Sequence, residues 1–461
     1  MTLTGLLILA GGFILMALAI VPAIKRRIRD NGVASYVPPA LRYPAFRAYW
    51  LGLLASVSGY QMFRAAQAWF VYELTGSPLF LGYAAAANAV PGIFFNVFGG
   101  VYADKLNKRL LVMSTQAINA GLIFLLAVLT LLDVVQVWHI MVIAFVSGAV
   151  EAFDTPARQA IYPHLIDRRV MMSAVALNSS VWSGNRIIAP AIAGFIIATT
   201  NMETAFFVAG SGFAVMALVM LFLHVPYIPQ GGRGSPLQDM LEGFRFIRGN
   251  SIFSFLITMT FFNSFFGMAY VFLMPVIAQD HLGLGPGTYG TLLSAGGVGS
   301  LLVTVWLGSR STFRSKGLFI IGGAVMFGLS LIVFGLTSNF IGSLTLALIV
   351  LFIMGVVTST YMISIQSALQ MMVPDAVRGR VMGFYGMTWS IMPLGAMPSG
   401  ALATIIGAPF AVALGGLAVM AFAIGPALIN SRIRNLGSQV ETPDTGAGAS
   451  AAPPVPAQAD S

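Results

Sequence analysis

The sequence predicts an all-helical membrane protein: two six-helix bundles around a central cavity, preceded by one extra N-terminal transmembrane helix. Three observations lead there. Only 8% of the 461 residues are charged while 57% are hydrophobic. Thirteen apolar stretches are long enough to cross a bilayer. The basic residues fall on alternate connections between them.

Soluble domains carry about 25% charged residues. This chain has too few to coat a soluble core of its size, which excludes a soluble enzyme. The abundance of Leu, Ile, Val and Phe excludes disorder for the body of the chain. Cysteine is absent, so there is no disulfide frame, thiolate metal site or cysteine nucleophile.

A membrane helix needs about 20 mainly apolar residues. Twelve such spans are read at 48–72, 79–101, 110–132, 138–160, 172–199, 204–224, 250–278, 286–308, 318–337, 341–365, 380–404 and 408–430, with one more at 3–24 ahead of them. The connections at 73–78, 133–137, 200–203, 279–285, 338–340 and 405–407 contain no Lys or Arg. Every one of the 24 basic residues except Arg64 and Arg186 lies on the opposite side. By the positive-inside rule that side is the cytoplasm. The rule also accounts for the net charge of +9, so no nucleic-acid partner is predicted. The segment 3–24 is followed, not preceded, by Lys25-Arg26-Arg27. It therefore reads as an uncleaved helix with its N-terminus outside, and not as a signal peptide.

The predicted organisation is an extra helix over 1–30, a first bundle over 45–224, a cytoplasmic linker over 225–249, a second bundle over 250–431 and a disordered cytoplasmic tail over 432–461. Within the linker, Leu237 to Ile247 reads as a short amphipathic interfacial helix. The two bundles carry a faint repeat. The stretch GYAAAANAVPGIFFNVFGGVYADKLNK from Gly82 aligns with GTLLSAGGVGSLLVTVWLGSRSTFRSK from Gly290, and PHLIDRRVM from Pro163 with PDAVRGRVM from Pro374.

The loop Gly100-Val-Tyr-Ala-Asp104-Lys105-Leu-Asn-Lys108-Arg109 resembles the G-x-x-x-D-[RK]-x-G-[RK]-[RK] loop of the major facilitator superfamily, with Asn107 where Gly is usual. The resemblance covers about 45–430. Phe153-Asp154-Thr-Pro156-Ala-Arg158-Gln159, Asn185 to Gly194 and Val373 to Met382 look like the branch that contains the enterobactin exporter and macrolide efflux pumps. The extra N-terminal helix departs from that pattern. Two parallel six-helix halves are the repeat expected of such transporters.

Gly100 lets the second span approach a neighbour closely, and Asp104 could cap the N-terminus of another helix. The resemblance implies that this neighbour begins near Arg380 and that the contact holds one conformation closed. Gly100, Asp104, Lys105, Lys108, Arg109 and Arg380 are therefore gating candidates. A plain positive-inside loop is the alternative for the lysines and Arg109.

Charged residues inside a bilayer are costly unless paired or facing water, which makes them functional candidates. Arg64 shares a face of the first span with Tyr60 and Gln67, and Gln61 lies beside them. Asn178, Trp182, Asn185 and Arg186 share a face of the fifth. These eight residues, with Asn263, Tyr385 and Trp389 and more weakly Phe262 and Tyr270, are the cavity-lining candidates. Two arginines in such a cavity suit an anionic or hydrogen-bonding ligand. Structural arginines bonded to carbonyls are the alternative. On the fourth span Glu151, Asp154 and Arg158 lie along one face. Asp154 and Arg158 read as an i, i+4 ion pair or gate, and Glu151 as a proton-coupling candidate, with Glu73 as a second. Pro190 with Ala189, Ala193 and Gly194 resembles the family's antiporter signature, with Ala at two of its glycine positions.

The four histidines have unrelated spacings, and there is no P-loop, so neither an enzyme site, a metal, a cofactor nor direct ATP use is predicted. The expectation is a monomeric secondary active transporter of the bacterial inner membrane, working by alternating access. The resemblance implies export of a small amphipathic compound (drug, siderophore or secondary metabolite) driven by protons. An importer of a small organic anion is the alternative, and a non-transporting receptor a second.

Overall fold

The computed structural model describes residues 38–223, 225, 236–308 and 316–429. The predicted helix at 3–24, the tail and the start of the linker lie outside the described residues, as do the side chains of 96–105. Every regular element among the described residues is helical. The main helices are α1 (Pro44–Thr75), α2 (Pro78–Lys105), α3 (Lys108–Leu131), α4 (Val137–Ile161), α5 (Met171–Thr199), α6 (Met202–Phe222), α7 (Pro236–Gly249), α8 (Ser251–Phe262), α9 (Tyr270–Val276), α10 (Pro286–Gly308), α11 (Lys316–Phe340), α12 (Leu344–Met372), α13 (Asp375–Ser390), α14 (Met392–Ile406) and α15 (Ala408–Ile429).

Among the described residues, ten helical segments are long and apolar enough to cross a membrane. Pro44–Thr75 is not one of them, although it has 32 residues. It carries Gln61, Arg64 and Gln67 along its length, and a helix gives up that much apolar character only where neighbours or water receive the polar groups. Local chemistry sets its ends. Pro44 sits at the first helical position, where its missing N–H leaves no hydrogen bond unmade. At the other end Gly76 takes a left-handed φ of 57° and returns its N–H to the Tyr72 carbonyl at 2.8 Å.

The segment expected as one span at 250–278 is interrupted. Asn263–Gly267 and Ile277–His281 are π-helical turns flanking α9. Such bulges release backbone hydrogen bonds inside a helix and are frequent at functional sites. The span read at 380–404 is two helices, α13 and α14, divided at Ile391 ahead of Pro393.

The helices before residue 223 pack chiefly among themselves, α1 on α5 and α6, α2 on α4, and α3 on α4 and α6. Those after 250 do likewise, α10 on α12 and α11 on α12 and α15. Two seams join the sets: α5 against α10, and α2 against α14. Glycines set how close the helices come. A Cβ at Gly148 of α4 would strike the Asn88 backbone of α2, and one at Gly355 of α12 would strike the Gly296 backbone of α10. At the seams, Gly82 lies against Ala396 and Met397, and Gly290 against Pro190 and Ala191. Gly400 faces Pro78, and Gly194 faces Pro286. Gly82 and Gly290, and Asn88 and Gly296, are aligned pairs in the sequence repeat, and Pro78 and Pro286 stand just ahead of it at the same spacing, so the same contact recurs in both sets. The seam contacts of Gly82, Gly194, Gly290 and Gly400 all lie toward the end of the bundle whose loops lack Lys and Arg.

Candidate functional site: a polar cavity between the helix sets

Between the two sets lies a cavity of about 880 Å³. Among the described residues, its charged lining is Arg64 from α1, Glu151 from α4 and Arg186 from α5. Tyr60, Trp182, Tyr270, Phe272, Tyr289, Tyr385 and Trp389 supply aromatic faces, and Gln61, Gln67, Asn88, Ser359 and Gln366 supply neutral polar groups. The chemistry is that of a ligand site: mostly apolar wall with a few fixed polar groups.

The two arginines have different surroundings. Arg64 Nη1 donates to the Tyr60 hydroxyl at 3.0 Å and to Asn88 Oδ1 at 3.4 Å. Asn88 in turn donates to the Ala144 carbonyl at 3.3 Å, which fixes its oxygen toward the arginine. The guanidinium carbon lies 5.6 Å from the centroids of both Tyr60 and Phe272, so one aromatic face comes from each helix set. Glu151 lies beside the same Tyr60 hydroxyl and within electrostatic reach of Arg64 and Arg158. Arg186 faces the open cavity. It makes no hydrogen bond or ion pair among the described residues, and its electrostatic neighbour is the Tyr270 hydroxyl.

Of the cavity candidates read from the sequence, Tyr60, Gln61, Arg64, Gln67, Trp182, Arg186, Tyr270, Tyr385 and Trp389 line the wall. Four do not, among them Phe262, which stacks on Phe422. Asn185 is buried and accepts from the Ser58 hydroxyl at 2.6 Å while donating to the Val181 carbonyl at 2.9 Å. Asn178 and Asn263 are absent from the lining, and Asn263 is 1% exposed in the first π turn. Asn88, Tyr289 and Phe272 were not singled out in the sequence. A signal for Asn88 existed, because the repeat sets it opposite Gly296.

Glu151 and Asp154 differ sharply. Asp154, 1% exposed, accepts from Thr115 at 2.7 Å and Gln116 at 3.0 Å, and pairs with Arg158 at 2.6 Å. Ser56 donates to Gln116 at 2.6 Å, and the Tyr49 hydroxyl donates to the Arg158 carbonyl at 3.1 Å. This buried network ties α1, α3 and α4 together within one set. Glu73 is exposed at the non-basic end of α1.

Of the gating candidates, Gly100, Asp104 and Lys105 belong to the stretch whose side chains lie outside the described residues. Asn107, the departure from the loop pattern, caps α3: its Oδ1 accepts from the N–H groups of Arg109 and Leu110. Lys108 is buried. Arg109 donates to the Met220 and Leu221 carbonyls at the end of α6, a favourable site for a cation. Arg380 pairs with Glu242 of α7 at 2.6 Å, and Gly243 packs on Arg380 and Phe384. The α7 helix thus docks on α13.

The sequence matches the transmembrane secretion effector family of the major facilitator superfamily over residues 34–450. The chain belongs to this family. As a transmembrane secretion effector it is a multi-pass membrane transporter and not an enzyme. It is 27% identical to the staphyloferrin A transporter of Staphylococcus aureus, across 79% of this chain and 91% of that one. It is 25% identical to macrolide efflux protein A of Streptococcus pyogenes, across 85% and 97%, and 23% identical to the enterobactin exporter EntS of Shigella boydii, across 74% and 81%. The fold is that of a bacterial homolog of the human lysosomal transporter Spinster, with a TM-score of 0.67 at 14% identity over 88% of this chain and 98% of that one.

Proposed function

We propose that this transporter is a proton-driven exporter of small amphipathic compounds, working as a monomer by alternating access between two six-helix halves. The observation that carries the proposal is the cavity, in which Arg64, Tyr60 and Glu151 form one cluster on a largely aromatic wall. Siderophore and macrolide transporters among its relatives support the substrate class and the bacterial inner membrane.

The basic loops face the cytoplasm in this reading. The seams at Gly82 and Gly194 then close the outer end, and the cavity receives its substrate from inside. Glu151 is the proton site. Its charge offsets Arg64 while deprotonated, and a proton on the carboxylate would release the guanidinium for other partners. Gly100, Asp104, Lys105 and Lys108 form the inner gate against α13. Gln61, Gln67, Trp182, Arg186, Tyr385 and Trp389 contact the substrate.

Accumulation of fluorescent dyes, macrolides and catecholate siderophores in efflux-deficient cells tests this, with and without a protonophore. Lower accumulation that the protonophore abolishes is expected. Higher accumulation would favour import of an organic anion, the reading that Arg64 and Arg186 also support.

A further inference from the structure

We infer that the exported compounds are monoanionic amphiphiles and that Arg186, not Arg64, anchors their acidic group. The inference rests on the cavity being the substrate site. Its basis is how the cavity's charges are paired. Arg64 Nη1 is engaged by Tyr60 and Asn88, and the guanidinium lies in the field of Glu151. While Glu151 is ionised, that cluster is close to neutral as a unit. Arg186 is left as the one cation of the lining without a hydrogen-bond or ion-pair partner among the described residues, so the described cavity carries an excess of one positive charge.

Arg186 is exposed to the cavity, and a carboxylate or sulfonate that reaches an unpaired guanidinium gains a charge-assisted, bidentate contact. The residues around Arg186 define the rest of the ligand. Trp182 lies one helical turn before it, and the Tyr270 hydroxyl from the opposite set lies near its guanidinium. Trp389 and Tyr385 add aromatic surface to the same cavity. An apolar or aromatic body bearing one acidic group fits this arrangement. A dianion would meet Glu151 or compete for Arg64, and a cation would face an uncompensated arginine.

The test is equilibrium binding of dansylglycine, a monoanion at neutral pH, and of its uncharged methyl ester to the purified full-length protein. The wild type is expected to bind the anion about tenfold tighter than the ester, the size of one charge-assisted contact. Arg186→Gln should abolish that preference while still binding the ester, which also reports that the variant is folded. Arg186→Lys should restore part of it. The double variant Arg64→Gln/Glu151→Gln removes the near-neutral cluster together and should keep the preference, even where both affinities fall. Equal preference in wild type and Arg186→Gln, or its loss only in the double variant, overturns the assignment. Wild-type binding of both probes with no preference overturns the anion inference while leaving the cavity as substrate site. Binding of neither overturns both.

Discussion

The hydroxyl of Tyr72, in the last turn of α1, donates to Asp280 Oδ2 in the second π turn after α9. The bond joins the two helix sets at the end whose loops carry no basic residue, the end where Gly82, Gly194, Gly290 and Gly400 also bring the sets together. Nearby, Tyr289 donates to the Ala65 carbonyl at 3.3 Å, and its ring lies 5.3 Å from Trp69. Under the proposed alternating access, a polar latch over glycine seams is a closure that can be undone without unfolding either set.

Tyr72→Phe removes the latch and keeps the ring. A hydrogen bond to a charged group contributes about 1.5–3 kcal/mol, so the open population at that end should rise about tenfold or more. The chain has no cysteine, which makes a single Ala68→Cys reporter on the cavity wall unambiguous. Its labelling by an impermeant maleimide from the non-basic side should accelerate by that factor. Equal rates with and without Tyr72→Phe would show that the bond does not hold the closure.

The glycine seams make a second prediction. A Cβ at Gly82 would lie 2.7 Å from both the Ala396 carbonyl oxygen and Met397 Cα, across the interface. Gly82→Leu should fold with near-normal thermal stability yet fail to transport, because it blocks one conformation only. Gly148→Leu pushes instead into the Asn88 backbone inside one set. Overpacking of that kind costs about 1–3 kcal/mol or more, so its melting temperature should fall. The opposite ranking of the two stabilities would refute this division of the glycines.

The two ion pairs should differ in the same assay. Asp154→Ala leaves Arg158, 8% exposed, without its carboxylate and frees Thr115 and Gln116. Breaking a buried pair costs about 3–5 kcal/mol. Glu242→Gln touches a pair whose side chains are 53% and 32% exposed, where the loss should stay under about 1 kcal/mol. Thermal unfolding in detergent checks both.

Much of this was legible because a bilayer imposes simple rules. Hydropathy marks helices, and basic loops mark one side. Helical spacing placed Arg64 with Tyr60, and Trp182 with Arg186, on faces that do line the cavity. The same spacing grouped Asn178 and Asn185 with Arg186. Yet Asn185 turns to Ser58 of α1, since a helical face spans more than one neighbour. Helical spacing did not connect Glu151 with Arg64, because position along one helix says nothing of what crosses it. Only the packing of α1, α2 and α4 brings Tyr60, Asn88 and Glu151 to one guanidinium. The break at Asn263–Gly267 carries little hydropathy signal, as a π turn changes hydrogen bonding inside a still largely apolar run, whereas Ile277–His281 falls where that run ends.

Proton-driven flux through the Arg64–Tyr60–Glu151 cluster is tested most directly in inside-out membrane vesicles with an imposed pH gradient. A dye identified as a substrate is followed for the wild type and Glu151→Gln. The expected result is gradient-driven flux in the wild type that a protonophore abolishes, and exchange without response to the gradient in Glu151→Gln. Gradient-driven flux that survives Glu151→Gln unchanged would contradict it.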